Sequence, residues 1–112
     1  MPDLSPTPKE KQLPIKVVLT WDIAPDHEQE YFEFVIREFI PGVQRLGFEL
    51  SDAWATVYGK HPQIMVGALS SSLRDTDRII DSNEWKSLTN QLLDYVQNYS
   101  CKVVEARSGF QF

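Results

Sequence analysis

The chain has 112 residues, of which 42% are apolar, 12% aromatic and 24% charged, a size that fits one domain. Eleven Lys and Arg against sixteen Asp and Glu give a net charge of −5, which argues against a nucleic-acid partner, whose phosphates demand a basic face. No apolar stretch approaches the roughly 20 residues of a membrane span, Met1–Pro6 lacks the features of a secretion leader, and the single Cys101 fits a reducing cytoplasm, the expected location.

Residues 1–14 contain four prolines, Pro2, Pro6, Pro8 and Pro14, among polar and charged residues. Such a segment has little to bury, so it reads as a flexible N-terminal tail preceding a folded domain over 15–112. From Ile15 to Ile23 apolar residues alternate with Lys16, Thr20 and Asp22, which predicts a first strand with one buried face. Pro25-Asp26 then opens a helix, with Asp26 as N-cap and Gln29 completing a capping box. Its apolar stripe is Phe32, Val35, Ile36, Phe39, Val43 and Leu46; Pro41 predicts a kink near Ile40, and Gly47 a C-cap.

Asp52 to Tyr58 and Gln63 to Ser70 read as a strand pair joined at Gly59-Lys60-His61-Pro62. Ala53, Ala55 and Val57 share one face of the first of these; Asp52, Trp54, Thr56 and Tyr58 share the other. A short helix with Leu73, Ile79 and Ile80 follows Ser70-Ser71-Ser72. Asp81-Ser82-Asn83-Glu84 begins another, with a stripe of Trp85, Leu88, Leu92, Tyr95 or Val96, and Tyr99. Cys101 to Ala106 is the last strand, and Ser108–Phe112 an apolar tail. The order is β-α-β-β-α-β, an α+β ferredoxin-like fold with an antiparallel sheet ordered 4-1-3-2.

Both helical regions of that fold lie on one side of the sheet. The other side carries Val18, Trp54 and Tyr58 among Lys16, Thr20, Asp52 and Thr56, too apolar to stay wet. A second copy of the sheet is the simplest cover, which makes Val18, Trp54 and Tyr58 the expected homodimer interface. The alternative is a bulge that turns Trp54 and Tyr58 to the helix side.

Trp54-Ala55-Thr56-Val57-Tyr58-Gly59 running into His61-Pro62-Gln63, with Ser82-Asn83-Glu84-Trp85 opening a later helix, resembles the dimeric α/β-barrel superfamily over residues 15–112. That group holds antibiotic-biosynthesis monooxygenase-like proteins, haem-degrading monooxygenases and many small proteins of unassigned function. The resemblance implies two sheets closing into one barrel, and a lateral cleft in each protomer between sheet and helices. Haem degradation in that group needs an axial histidine from the second helical region and a first-strand asparagine. Residues 71–99 contain no histidine, and the first strand carries Asp22, so haem is not expected.

The chemistry-bearing residues are few. His27, with Glu30 and Tyr31 one turn on, is the candidate general base, or else an exposed first-turn residue. His61 reads as a turn residue. Asp26, His27, Glu28 and Glu30 diverge around a helix, so no metal site is expected. Cys101 has no activating partner, and the scattered glycines form no phosphate loop, so no cofactor is expected. Trp21, Tyr31 and Trp85 are the candidate ligand-binding residues, in a set with Phe32, Phe39 and Tyr95 that is either a pocket or simply the core. The first reading is therefore an uncharacterised homodimer holding a small apolar or aromatic molecule in its cleft. The alternatives are a cofactor-independent monooxygenase acting on an electron-rich aromatic, and a protein–protein assembly module using the acidic helix face and the tail.

Overall fold

The computed structural model of the protein describes residues 14–55 and 62–105. Tyr58, His61, the Pro-rich segment before Pro14 and the apolar C-terminal segment lie outside the described residues.

Alternation produces the first strand as expected. In β1 (Ile15–Ile23) the residues Val17, Leu19 and Trp21 are buried on one face while Val18 and Thr20 are half-buried on the other. β1 is central: it pairs antiparallel with β3 (Ile64–Ser70) and with β4 (Val96–Glu105), and β3 pairs with β2 (Glu49–Ala55). The sheet order is β2-β3-β1-β4, the expected 4-1-3-2 read from its other edge. The fold is therefore α+β and ferredoxin-like.

The first helical region departs from the sequence reading in two ways. Asp26 does not cap it: its φ is +69°, a left-handed turn conformation that Asp tolerates. The cap position is His27, which makes no side-chain capping bond, so the expected Asp26–Gln29 capping box does not form. More consequential is the phase of the helix. α1 (Glu28–Phe34) runs into a widened π-turn (Val35–Phe39) and then α2 (Ile40–Leu46). Ile40 N–H donates five residues back, to the Val35 carbonyl. Pro41 follows at once; it offers no N–H and its ring presses on the carbonyl one turn back, which is the strain that a widened turn relieves.

The extra residue in that turn resets the buried face. An uninterrupted α-helix would put Phe32, Val35 and Ile36 in line with Phe39 and Val43. Instead the buried side chains are Tyr31, Phe34, Phe39 and Val43, spaced three, five and four apart, and Phe32 and Ile36 are exposed. The expected core stripe is thus corrected at Phe32 and Ile36 and holds at Val35, which is half-buried against the core, and at Phe39 and Val43. α2 ends as predicted at Gly47, with φ +120°; Phe48 N–H returns to the Val43 carbonyl at 3.2 Å and Gly47 N–H to that of Gln44 at 3.1 Å.

Two short helices, α3 (Leu73–Ile80) and α4 (Asn83–Leu92), lie between β3 and β4. Ser72 caps α3, accepting from Asp75 N–H at 3.1 Å, and Ser82 caps α4, accepting from Trp85 N–H at 3.1 Å. Within the expected Asp81-Ser82-Asn83-Glu84 start, the cap is Ser82 and Trp85 is the residue it holds. Ser82→Ala removes an acceptor from the first turn of α4 and is expected to lower stability by about 1 kcal/mol in urea unfolding; an unchanged midpoint would show that water replaces it. α4 packs on α2 where Gly42 meets Leu88, so closely that a Cβ on Gly42 would lie 2.6 Å from Leu88 Cδ1.

α4 stops at Leu92, so Tyr95 lies in the following turn, and Val96 and Tyr99 lie in β4 rather than on the helix. β4 begins five residues earlier than the sequence suggested. Its register against β1 shifts between Thr20 and Asp22, and Asn98 there adopts φ +57°. The irregularity buries Asp22, which alternation had left facing solvent. One Asp22 oxygen accepts the Gln63 backbone N–H and the other the Asn98 side-chain amide, each at 2.8 Å.

Candidate functional site

Two places on this scaffold have the character of a site. The first is enclosed. Between the helix face of the sheet and the first helical region lies an apolar cavity of about 130 Å³. Trp21 and Val66 form its floor, Tyr31, Val35 and Phe39 its roof, and Leu50 and Ala53 of β2 its side. Ala53 is itself exposed, so the wall is thinnest along the β2 edge. The space is close to that of an engineered apolar cavity of about 150 Å³ that stays dry and admits benzene.

The phase of α1 determines the chemistry of this cavity. Because the π-turn brings Tyr31 rather than Phe32 inward, its hydroxyl meets the indole of Trp21, whose Nε1–H donates to Tyr31 Oη at 2.9 Å. Trp21 also lies edge-on to Phe39, with ring centres 5.9 Å apart, and stacks on Tyr99 at 6.4 Å. Burial pushes the Tyr31 phenol up, outweighing the opposite effect of the Trp21 bond, and burial also drives the Tyr99 phenol far above its ordinary value. Both phenols are neutral at pH 7. Cys101, exposed on β4, has its thiol pushed up by partial desolvation beside Tyr99, which keeps it protonated at neutral pH.

The structure brings Trp21 and Tyr31 together and sets the other candidates apart. Trp85 is buried edge-on against Phe48, ring centres 5.5 Å apart, and is not part of the cavity wall. His27 is exposed at the start of α1; its carbonyl accepts Tyr31 N–H at 2.8 Å, and its ring is not in the wall either. The sequence reading named Val35 only on the helix stripe and Ala53 only on a strand face, and did not name Leu50, so their part in the cavity wall was not foreseen. The signal for Ala53 was present: a small residue on the helix side of a strand leaves room that its neighbours do not fill.

The second place is the open face of the sheet. Directly opposed residues in antiparallel strands share a face, so Val18 lies with Gly67 and Lys102, and Trp54 with Met65. A register shift in β2 falls between Leu50 and Asp52, before Trp54, and leaves Trp54 on this side, 60% exposed. Val18, Thr20, Met65, Ser100, Lys102 and Val104 border a shallow depression there. At one end Lys16 Nζ pairs with Asp52 Oδ2 at 3.2 Å over Gly67, where a Cβ would lie 2.1 Å from Asp52 Oδ1.

Among the described residues no helix is long and apolar enough to cross a membrane, and no group of three or more His, Cys, Asp or Glu side chains gathers as a metal site.

No protein-family model matches the chain, and no curated protein matches it. Solved structures do. A NIPSNAP family protein from Agrobacterium tumefaciens C58 shares 19% identity, with 87% of this chain and 89% of that one covered and a TM-score of 0.67. A dimeric protein of unknown function and ferredoxin-like fold from Bacteroides fragilis NCTC 9343 shares 14% identity over 83% of this chain and 96% of that one, at a TM-score of 0.60. A protein from Bacteroides thetaiotaomicron VPI-5482, provisionally assigned as an antibiotic biosynthesis monooxygenase, shares 17% identity over 91% and 98% of the two chains, at 0.57. The likeness is one of fold: this chain has the ferredoxin-like architecture that NIPSNAP-type and monooxygenase-like proteins share.

Proposed function

We propose that the protein is a homodimer, joined through the open faces of its sheets, in which each protomer holds one small apolar or aromatic molecule beneath its first helical region. The observation that carries the ligand reading is the cavity of about 130 Å³ walled by Trp21, Tyr31 and aliphatic side chains. Interiors pack to near-crystal density, so a void of ring size beside two aromatics is a feature to be explained. The dimer reading draws on the apolar character of Val18, Met65, Val104 and Trp54 on a face that no helix covers, and on the dimeric state of the Bacteroides fragilis protein of similar fold. Dimerisation would bury that face while leaving the cavity, on the opposite side of the sheet, accessible along β2.

Toluene is a suitable probe, followed through the Trp21 indole N–H resonance. Saturable shifts are expected for the wild type, and their loss in Ala53→Leu, which adds three carbons at the thin wall from an exposed position and so spares the fold. Binding that survives Ala53→Leu unchanged would place the ligand elsewhere, and an indole resonance that never moves would end the ligand reading.

A further inference from the structure

The hydrogen-bond polarity inside the cavity restricts what it can hold. An indole nitrogen is a donor only, so in the 2.9 Å contact Trp21 must give its proton and Tyr31 Oη must accept it. The Trp21 N–H is therefore engaged within the protein, and what Tyr31 has left is its own O–H. Tyr31 is 2% exposed, and among the described residues that O–H meets no acceptor. A buried donor without a partner is costly, and it sits in the wall of a cavity whose other side chains are hydrocarbon apart from the engaged indole.

Building on the ligand reading above, we infer that the cavity selects a neutral ring-sized molecule carrying a hydrogen-bond acceptor, a ketone or similar carbonyl oxygen, which takes the Tyr31 O–H. A ligand whose only polar group is a donor would leave the Tyr31 O–H still without an acceptor, since the Trp21 N–H is already engaged by Tyr31 Oη. A carboxylate would have to shed its hydration among aliphatic walls with a single donor in return. The raised pKa of the phenol acts in the same direction, since it keeps the proton in place across the neutral range. The structure thereby assigns Tyr31 as the residue that decides specificity, with Trp21 fixing the direction of its hydroxyl.

The test is a pair of isosteres. Cyclohexanone and methylenecyclohexane have nearly the same shape and differ in C=O against C=CH2. In the wild type the ketone is expected to bind about fivefold to tenfold more tightly than its partition between water and hydrocarbon predicts from the alkene, the worth of one net hydrogen bond. Its carbonyl stretch should move to lower frequency on binding. Tyr31→Phe should abolish both the preference and the shift while still binding the alkene. Should the loss of the Trp21 acceptor unfold that variant, the wild-type comparison and the carbonyl frequency decide alone. Equal corrected affinities with an unshifted carbonyl would overturn the acceptor inference and leave the ligand reading standing. Failure of both molecules to move the Trp21 resonance would overturn the ligand reading, and this inference with it.

Discussion

If the protein is the proposed dimer, Val18→Glu is expected to turn it into a 12.9 kDa monomer at micromolar concentrations. Val18 lies on the central strand of the open face, with Gly67 opposite on one side and Lys102 on the other. In a single chain a carboxylate at this half-buried position reaches water and stands beside the Lys102 ammonium, so the protomer folds normally. In a face-to-face dimer the same substitution buries two carboxylates near the symmetry axis. Leaving charges uncompensated in an interface costs ~3 kcal/mol or more, a rise in dissociation constant of at least about 100-fold. Light scattering with far-UV circular dichroism gives the answer. A variant that keeps the dimer mass would show that the interface lies elsewhere, and a monomeric wild type would remove the barrel.

The second large effect belongs to Asp22→Asn. The change is isosteric, yet both carboxylate oxygens of Asp22 accept from donors that do not move easily: the Gln63 main chain and the side-chain amide of Asn98. Gln63 is further held because its own side-chain oxygen accepts the Ile23 N–H at 2.7 Å. An asparagine must turn an NH2 toward one of these donors, losing a bond to a charged acceptor and opposing two protons. The expected cost is about 2–3 kcal/mol, or a Tm lower by about 10–20 °C in a domain of this size. An unchanged Tm would mean that the carboxylate charge contributes nothing to holding β1 against β4.

These two residues also show what could be read from sequence. Val18 was legible because alternation is a local property: the residues on either side of it face the core, so it faces away, and the sheet order then says what lies around it. The sheet order, the helix stop at Gly47 and the pair of short helices before β4 follow from the same kind of short-range signal. Asp22 was not legible. Its burial depends on a register shift against a strand that contributes Asn98, 76 positions away, and no local pattern encodes where two strands slip. The first helix failed for a related reason. Phe32, Val35 and Ile36 fit a regular helix with Phe39 and Val43, and Tyr31 and Phe34 fit only if one residue is set aside, which is what the widened turn at Val35–Phe39 does. Trp21 and Tyr31 were each picked out as aromatic, but their hydrogen bond rests on that choice.

The widened turn has a consequence for comparing this chain with others of its fold. In α1 through α2 the protein carries what amounts to a regular helix with one inserted residue. Deleting an exposed position such as Arg37 would restore an ordinary turn and leave Tyr31 and Phe34 on their present face. Straightening the full-length helix without a deletion would instead carry Phe32 and Ile36 inward and remove the hydroxyl from the cavity. The group that faces the cavity is therefore set by the length of this helix as much as by its residue types. An alignment that puts its gap before Tyr31 rather than within Val35–Phe39 will match Tyr31 with a residue on the wrong side of the helix.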